Sequence, residues 1–307
     1  MNKKDELDII NRVYDDNFKK IEFEQPDFIV TKCDSDRTFG VEVTQIYRHS
    51  SHATLRNSGT YLPQLMNGQY RNKSDEKYLD VGEITLESLD GSQVYNFNAV
   101  TTKAPTPVEY VKLLSKTIEN KNKKLLKYDE TLEYINLIIL DNDNGLSRYG
   151  KLDIMNEIIT DELIKVILGS KYSEVFVTSD GNDEVITYPI KYMSINKMII
   201  QLFMQYKKFC KGDNLEAILF TNFYFNNHFF AESVVIKSEG NYGLLFNDVV
   251  YQLFPIPDMK RKNELVDIEF INYDGFNKKF EKDITNFGNE FSKRMIVAGD
   301  SKLYYAL

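Results

Sequence analysis

Residues 26–44 read PDFIVTKCDSDRTFGVEVT, and this stretch decides how the first half of the chain folds. Two short runs of β-branched and aromatic residues flank a polar turn at 33–37, which is the pattern of two strands joined by a short connection. The sequence predicts one strand over 23–31, in which Pro26 indicates an edge position or an irregular entry. It predicts the returning strand over 39–47.

The two predicted strands each carry one carboxylate. Asp27 lies on the first strand and Glu42 on the second, where Val41 and Val43 alternate with Glu42. Residues on adjacent antiparallel strands can converge on one point, and the backbone carbonyl of Val43 can supply a third oxygen. An all-oxygen set suits Mg²⁺ or Mn²⁺, which keep several waters and bind substrate phosphate. The sequence therefore predicts a divalent-metal site on Asp27, Glu42 and Val43.

Hydrophobic periodicity predicts the elements around these strands. The pair Thr106-Pro107 with Glu109 predicts a helix start, because threonine can cap the helix and glutamate completes a capping box. The predicted order is a helix over 5–19, the two strands, an insertion or long loop over 48–82, a hairpin of 84–87 and 94–100, a helix from Pro107 to about Tyr128, and a buried central strand over 135–140.

The second half is predicted to be α+β as well, with a boundary near residue 190. Residues 1–190 then form a core, and residues 191–307 form a C-terminal region for specificity or partner binding. The predicted elements are a helix over 154–168, a hairpin of 175–178 and 185–190, a helix over 195–209, β segments at 217–225, 233–237 and 266–271, and a closing helix over 284–294.

Pro26-Asp27 followed by Glu42-Val43-Thr44 resembles the first and second motifs of the PD-(D/E)xK nucleases, the restriction-endonuclease-like superfamily. The resemblance covers about residues 5–140 and implies an αβββαβ core with a mixed central sheet, hence an α/β (α+β) fold. It also implies metal-dependent hydrolysis of phosphodiester bonds, with Asp27 and Glu42 as metal ligands and Glu6 as an accessory acid.

The sequence departs from the family pattern at Thr44, where a lysine is expected. Either another lysine replaces it or the site is weak or inactive. On the helix that starts at Pro107, the spacing of the apolar residues places Lys121 on the inward seam, with Lys124 as the reserve candidate. His49 follows the second strand and can contact substrate phosphate. The apolar residues that define the inward seam of the helix starting at Pro107 are Val111, Leu114, Ile118, Leu125 and Tyr128.

Composition narrows the function classes. A net charge of −8 over 307 residues argues against a protein that coats DNA, but a nuclease needs only a local basic strip. Residues 112–127 supply one, with six lysines and a single acid. Two cysteines and three histidines exclude a disulfide framework and a structural zinc site. With no signal-like N-terminus and no long apolar run, we expect a cytoplasmic protein with no membrane association.

Three interpretations remain open on sequence alone. The first is a Mg²⁺- or Mn²⁺-dependent nuclease, with DNA as the expected substrate and a conditional role in bacterial defence as a possible setting. The second is a catalytically degenerate protein of the same fold that binds nucleic acid or a protein partner, which Thr44 favours. The third is an unrelated α/β interaction protein. A protein partner or a second copy is expected to bind through residues 191–307.

Overall fold

A computed structural model describes residues 3–34, 38–48, 54–55, 58–68, 75, 79–102, 105–125, 128, 132, 134, 135–141, 145–180, 184–228, 233–246, 249–253, 260–271, 275 and 278–283. The strands are β1 (Phe18–Glu22), β2 (Phe28–Lys32), β3 (Thr38–Ile46), β4 (Leu79–Glu87), β5 (Val94–Thr102), β6 (Ile135–Asp141), β7 (Val175–Asp180), β8 (Val185–Pro189), β9 (Val234–Ser238), β10 (Asn241–Phe246), β11 (Val249–Gln252), β12 (Lys260–Arg261) and β13 (Glu269–Ile271). The helices are α1 (Lys3–Ile10), α2 (Tyr61–Met66), α3 (Pro107–Leu125), α4 (Asp161–Leu168), α5 (Ile190–Cys210) and α6 (Asn214–His228), with short helical turns at Leu146–Arg148, Lys151–Asp153, Ile154–Ile158 and Lys262–Glu264.

The central sheet is mixed, as the resemblance implies. Its strand order is β1-β2-β3-β6-β7-β8, with antiparallel pairs at both ends and parallel pairs between β3, β6 and β7. Every residue of β6 is buried, which confirms the predicted central strand covered on both faces. One face packs on α1 through Ile9 and Ile10, and the other packs on α3 through Leu114 and Ile118.

The first helix is shorter than predicted. It ends at Ile10, and Phe18, which the periodicity assigns to the helix, is the first residue of β1. Tyr14 and Phe18 still contact each other, with ring centroids 5.2 Å apart, but they do so across a turn that packs on the sheet. The strand predicted over 23–31 is likewise interrupted, because residues 24–27 form a bend before β2. Apolar spacing alone does not distinguish a helix from a turn followed by a strand.

The start of α3 is as predicted. The backbone N–H of Thr106 donates to Glu109 Oε2 at 2.9 Å, and the backbone N–H of Glu109 donates to Thr106 Oγ1 at 3.3 Å. This reciprocal capping box fixes where the helix begins, and therefore which residues face the sheet. The predicted hairpin is also present as the two-stranded sheet β4-β5, and α2 lies within the stretch predicted as an insertion.

The segment 217–225 is a helix, which corrects the predicted strand. It forms the middle of α6, and its apolar residues are buried around the whole helix, so no amphipathic period marks it. A continuous apolar run fits a buried strand and a buried helix equally well. The helix predicted over 154–168 is broken at Thr160, whose side chain caps α4. The predicted closing helix over 284–294 lies outside the described residues.

The second half of the chain shares a hydrophobic cluster with the first. Leu137 of β6, Ile199 of α5, Phe220 of α6 and Val235 of β9 belong to one buried cluster. Helices α5 and α6 pack against the five-stranded sheet that contains β9, whose strand order is β12-β11-β10-β9-β13. The boundary near residue 190 stays a prediction. In the described part of the chain, no helix is long and apolar enough to cross a membrane.

A fully buried glutamate joins β7 to α5. The carboxylate of Glu174 accepts backbone N–H bonds from Val175 at 2.8 Å, Lys191 at 2.7 Å and Tyr192 at 3.1 Å. The bonds from Lys191 and Tyr192 satisfy N–H groups at the start of α5, which have no partner within the helix. Burial raises the pKa of the Glu174 carboxyl and lowers the pKa of the Lys191 ammonium, because it disfavours the charged form of each group.

Candidate active site

The register of β2 and β3 brings the two predicted carboxylates together. Phe28 pairs with Val41, so the next position along this antiparallel pair sets Asp27 opposite Glu42 on the same face. Asp27 Oδ2 accepts a hydrogen bond from the backbone N–H of Val43 at 2.8 Å. Asp27 is therefore held against β3, next to Glu42, although it lies just before β2 begins.

Gly40 allows this close approach. A Cβ atom at position 40 would lie 2.6 Å from Pro26 Cγ and 3.2 Å from Leu132 Cδ1. Because real Cβ atoms do not approach other atoms this closely, a side chain here would push away the bend that carries Asp27. Position 40 therefore requires glycine because Pro26 lies so close to it. The absence of a side chain at Gly40 allows the bend that carries Asp27 to lie against β3.

We expect Gly40→Ala to lower the free energy of unfolding by about 1–3 kcal/mol, the usual cost of overpacking a filled site. Urea denaturation of the purified protein measures this change. The matched control is Gly82→Ala in β4, where no atom lies within 4 Å of the added Cβ. Equal stability of the two variants would contradict the proposed role of Gly40.

Lys121 reaches Glu42 from α3. Its ammonium lies 2.6 Å from Glu42 Oε1 and 3.2 Å from the carbonyl oxygen of Val43. The helix seam predicted from the apolar stripe is therefore the seam that is observed. Only 6% of the Glu42 side chain and 13% of the Lys121 side chain are exposed, so the pair is nearly closed to solvent. A charge pair buried to this extent depends on good geometry.

Tyr128 contacts the other oxygen of the same carboxylate. Its hydroxyl donates to Glu42 Oε2 at 2.5 Å. Burial, and then the negative charge of Glu42, raise the pKa of Tyr128, so the phenol stays protonated and acts as a donor. The hydroxyl of Tyr172 donates to the backbone carbonyl of Lys121 at 3.4 Å, and so contacts the turn of α3 that carries Lys121. The Glu42 carboxylate thus has one donor on each oxygen.

A second lysine contacts Asp27. The ammonium of Lys3 lies 3.3 Å from Asp27 Oδ1, 2.9 Å from Glu6 Oε2 and 3.3 Å from the carbonyl oxygen of Phe23. Glu6, predicted as an accessory acid, therefore lies near the site, and the contact that links it to Asp27 runs through Lys3. The sequence analysis missed Lys3, because the predicted helix over 5–19 begins after it, whereas the observed helix begins at Lys3 and places it three residues before Glu6.

The remaining predicted residues lie farther from this cluster. Thr44 is half-buried, two residues along β3 and on the same face as Glu42, while Lys124 is exposed on α3. The exposed Lys112, Lys116 and Lys123 lie roughly 140–200° around the helix from Lys121, so this part of the basic strip faces away from the site. His49 lies outside the described residues.

The oxygen atoms of the site are of the type that hard divalent cations bind. The described residues contain no group of three or more His, Cys, Asp and Glu side chains placed to hold a metal ion. The candidate ligand set differs from such a group, because it combines only two carboxylates, of Asp27 and Glu42, with the backbone carbonyl of Val43. The Lys121 ammonium touches two of these oxygens, which marks a position where positive charge is stabilised. Two carboxylates and a carbonyl suit Mg²⁺ or Mn²⁺ that keep several waters.

The chain has no match among protein-family models, curated proteins or solved structures. Its function is therefore inferred from the geometry of the site.

Proposed function

We propose that this chain is a metal-dependent nuclease of the PD-(D/E)xK class, with a restriction-endonuclease-like core, that hydrolyses phosphodiester bonds, with DNA as the expected substrate. The observation that carries the proposal is the position of Lys121, with its ammonium 2.6 Å from Glu42 Oε1. The chain lacks the lysine expected at position 44, and a lysine from α3 lies against the same carboxylate.

Asp27, Glu42 and the carbonyl of Val43 would hold Mg²⁺ or Mn²⁺. A bound ion of this kind lowers the pKa of a water ligand and stabilises negative charge on the phosphate oxygens. Asp27 is oriented by its hydrogen bond from the Val43 N–H, which leaves Oδ1 directed towards Lys3. Glu42 is oriented by Tyr128, which engages Oε2, so that Oε1 faces Lys121.

Lys121 would bind the substrate at the reacting phosphate. An ammonium has three N–H donors, and the contacts to Glu42 and Val43 use two of them. A third donor can reach a phosphate oxygen or the attacking water, where its positive charge is worth most as negative charge develops. The nearly closed surroundings strengthen this interaction, because solvent screens it less than it would at the surface.

The test of the proposed function uses the purified chain of 307 residues. It is incubated with supercoiled, linear and single-stranded nucleic acid in Mg²⁺ or Mn²⁺, with EDTA as the control. We expect nicked or linear products that need the metal. An absence of cleavage with every substrate in both metals would contradict the proposal.

We expect Tyr128→Phe to weaken Mn²⁺ binding about tenfold, because a hydrogen bond to a charged group contributes about 1.5–3 kcal/mol and part of it is regained by rearrangement. Titration calorimetry without substrate measures the change. The control is Tyr95→Phe in β5, where the side chain is exposed and distant from Glu42 in the chain. Equal Mn²⁺ affinity in the wild-type protein and Tyr128→Phe would show that Tyr128 does not orient the ligand.

One observation favours the degenerate alternative. The Glu42 side chain is 6% exposed and has a donor on each oxygen, which also describes a structural ion pair. A protein of this kind would bind nucleic acid or a protein partner without cutting. Binding of nucleic acid with no cleavage in Mn²⁺ selects this alternative, and metal-dependent products exclude it.

A further inference from the structure

We propose that Lys3 is an exchangeable internal counter-ion of the metal site, which occupies the oxygens around Asp27 and must leave before a divalent cation can bind there. This inference rests on the proposed function, because it concerns how the same site is loaded. It assigns a role to a residue that lies outside the family pattern.

The contacts of Lys3 are those of a bound cation. Three oxygens surround its ammonium, and they come from two carboxylates and one backbone carbonyl, namely Glu6 Oε2, Asp27 Oδ1 and Phe23 O, at 2.9–3.3 Å. The ring of Phe28 adds a fourth favourable surface, with its centroid 5.4 Å from the ammonium. Carboxylate and carbonyl oxygens are also the ligands that Mg²⁺ and Mn²⁺ prefer. Lys3 therefore competes with a metal for Asp27.

Lys3 differs from Lys121 in how easily it can move. Its side chain is 43% exposed, against 13% for Lys121, and it lies in the first turn of α1. A half-exposed lysine can turn into solvent by rotating its own stem, without opening the core. Lys121 instead stays buried between α3 and β3. The site therefore contains one fixed ammonium on Glu42 and one exchangeable ammonium on Asp27.

The net charge of the site favours the replacement of the Lys3 ammonium by a divalent cation. Three carboxylates, on Glu6, Asp27 and Glu42, face two ammonium groups, which leaves one formal negative charge. A divalent cation added beside both lysines would meet two like charges at very short range. When Lys3 turns away, the remaining charge is −2, which a divalent cation neutralises.

The experiment compares the Mn²⁺ affinity of the wild-type 307-residue chain and two variants of it by titration calorimetry without substrate. The variants are Lys3→Met, which keeps the stem, and Lys4→Met, which removes the same charge from the exposed neighbouring position. We expect Lys3→Met to bind Mn²⁺ about tenfold more tightly than the wild-type protein, because the competing cation is gone. Lys4→Met should bind like the wild-type protein. Circular dichroism confirms that each variant is folded.

The outcomes separate the two proposals. If the wild-type protein binds Mn²⁺ and Lys3→Met binds it with equal or lower affinity, Lys3 is not a competing counter-ion, while the metal site stands. If only Lys3→Met binds Mn²⁺, the inference is supported in its strongest form. If none of the proteins binds Mn²⁺, the proposed function fails and the inference fails with it.

Discussion

Glu42→Gln is expected to remove metal-dependent cleavage, with a loss of at least about a thousandfold in single-turnover rate. The substitution keeps the shape of the side chain and an oxygen that can accept from Lys121 or Tyr128, but it deletes one of the negative charges that attract the metal. Asp27→Asn should have an effect of the same size, because it removes the charge of the other carboxylate in the site. Plasmid cleavage measures the rate, and calorimetry with Mn²⁺ measures the accompanying loss of metal binding.

The structure favours these amide variants over alanine. From the sequence, Asp27→Ala and Glu42→Ala are expected to leave the fold intact, since acids in a metal site repel each other. However, Asp27 also accepts the N–H of Val43, and Glu42 is the counter-ion of the buried Lys121. Removal of either carboxylate leaves a buried donor without its acceptor, which lowers the stability of the protein. A loss of cleavage in the alanine variants would then not distinguish a lost metal ligand from a destabilised fold. Cleavage at the wild-type rate in Glu42→Gln or Asp27→Asn would refute the metal site.

Lys121→Met is expected to lower the cleavage rate about 10²–10³-fold while Mn²⁺ binding is retained. Loss of one well-placed donor to the developing charge has an effect of this size in other enzymes. Methionine keeps the apolar stem in the seam of α3, and Tyr128 still donates to Glu42. The carboxylate therefore keeps one hydrogen bond and its place in the site.

The control for this prediction is Lys124→Met, three residues along the same helix and exposed. We expect it to cleave like the wild-type protein. The reverse pattern, with full activity in Lys121→Met and none in Lys124→Met, would assign the catalytic role to Lys124. Full activity in both variants would leave this helix without a catalytic lysine.

The half of the site that could be predicted from sequence depends on local patterns. Asp27 directly precedes β2, and Glu42 lies on the neighbouring strand β3, so their proximity follows from the antiparallel pairing of the two strands. Lys121 is 79 residues from Glu42, yet it was predictable because the capping box fixes the start of α3 and the apolar stripe fixes its face. A regular helix carries this information over a long distance in the sequence.

The other half depends on irregular structure, where periodicity gives no guide. Lys3 contacts Asp27 at 3.3 Å, and Asp27 lies in a bend before β2 instead of in the predicted strand. The first helix is also shorter than predicted. Neither the early end of α1 nor the bend follows from apolar spacing. The prediction of a strand over 217–225 was wrong for a different reason. A helix that is apolar on all sides has no hydrophobic period that would indicate a helix.

The hydrogen bonds of the Glu174 carboxylate link the two halves of the chain, so they affect how each half behaves when it is expressed separately. Expressed alone, residues 1–189 would keep this acid in the interior but lose the N–H groups of Lys191 and Tyr192 that it binds. The apolar surface that α5 covers would become exposed at the same time. We therefore expect the first half to be insoluble by itself, and to be recovered in the soluble fraction only when residues 190–307 are supplied as a second polypeptide in the same cell.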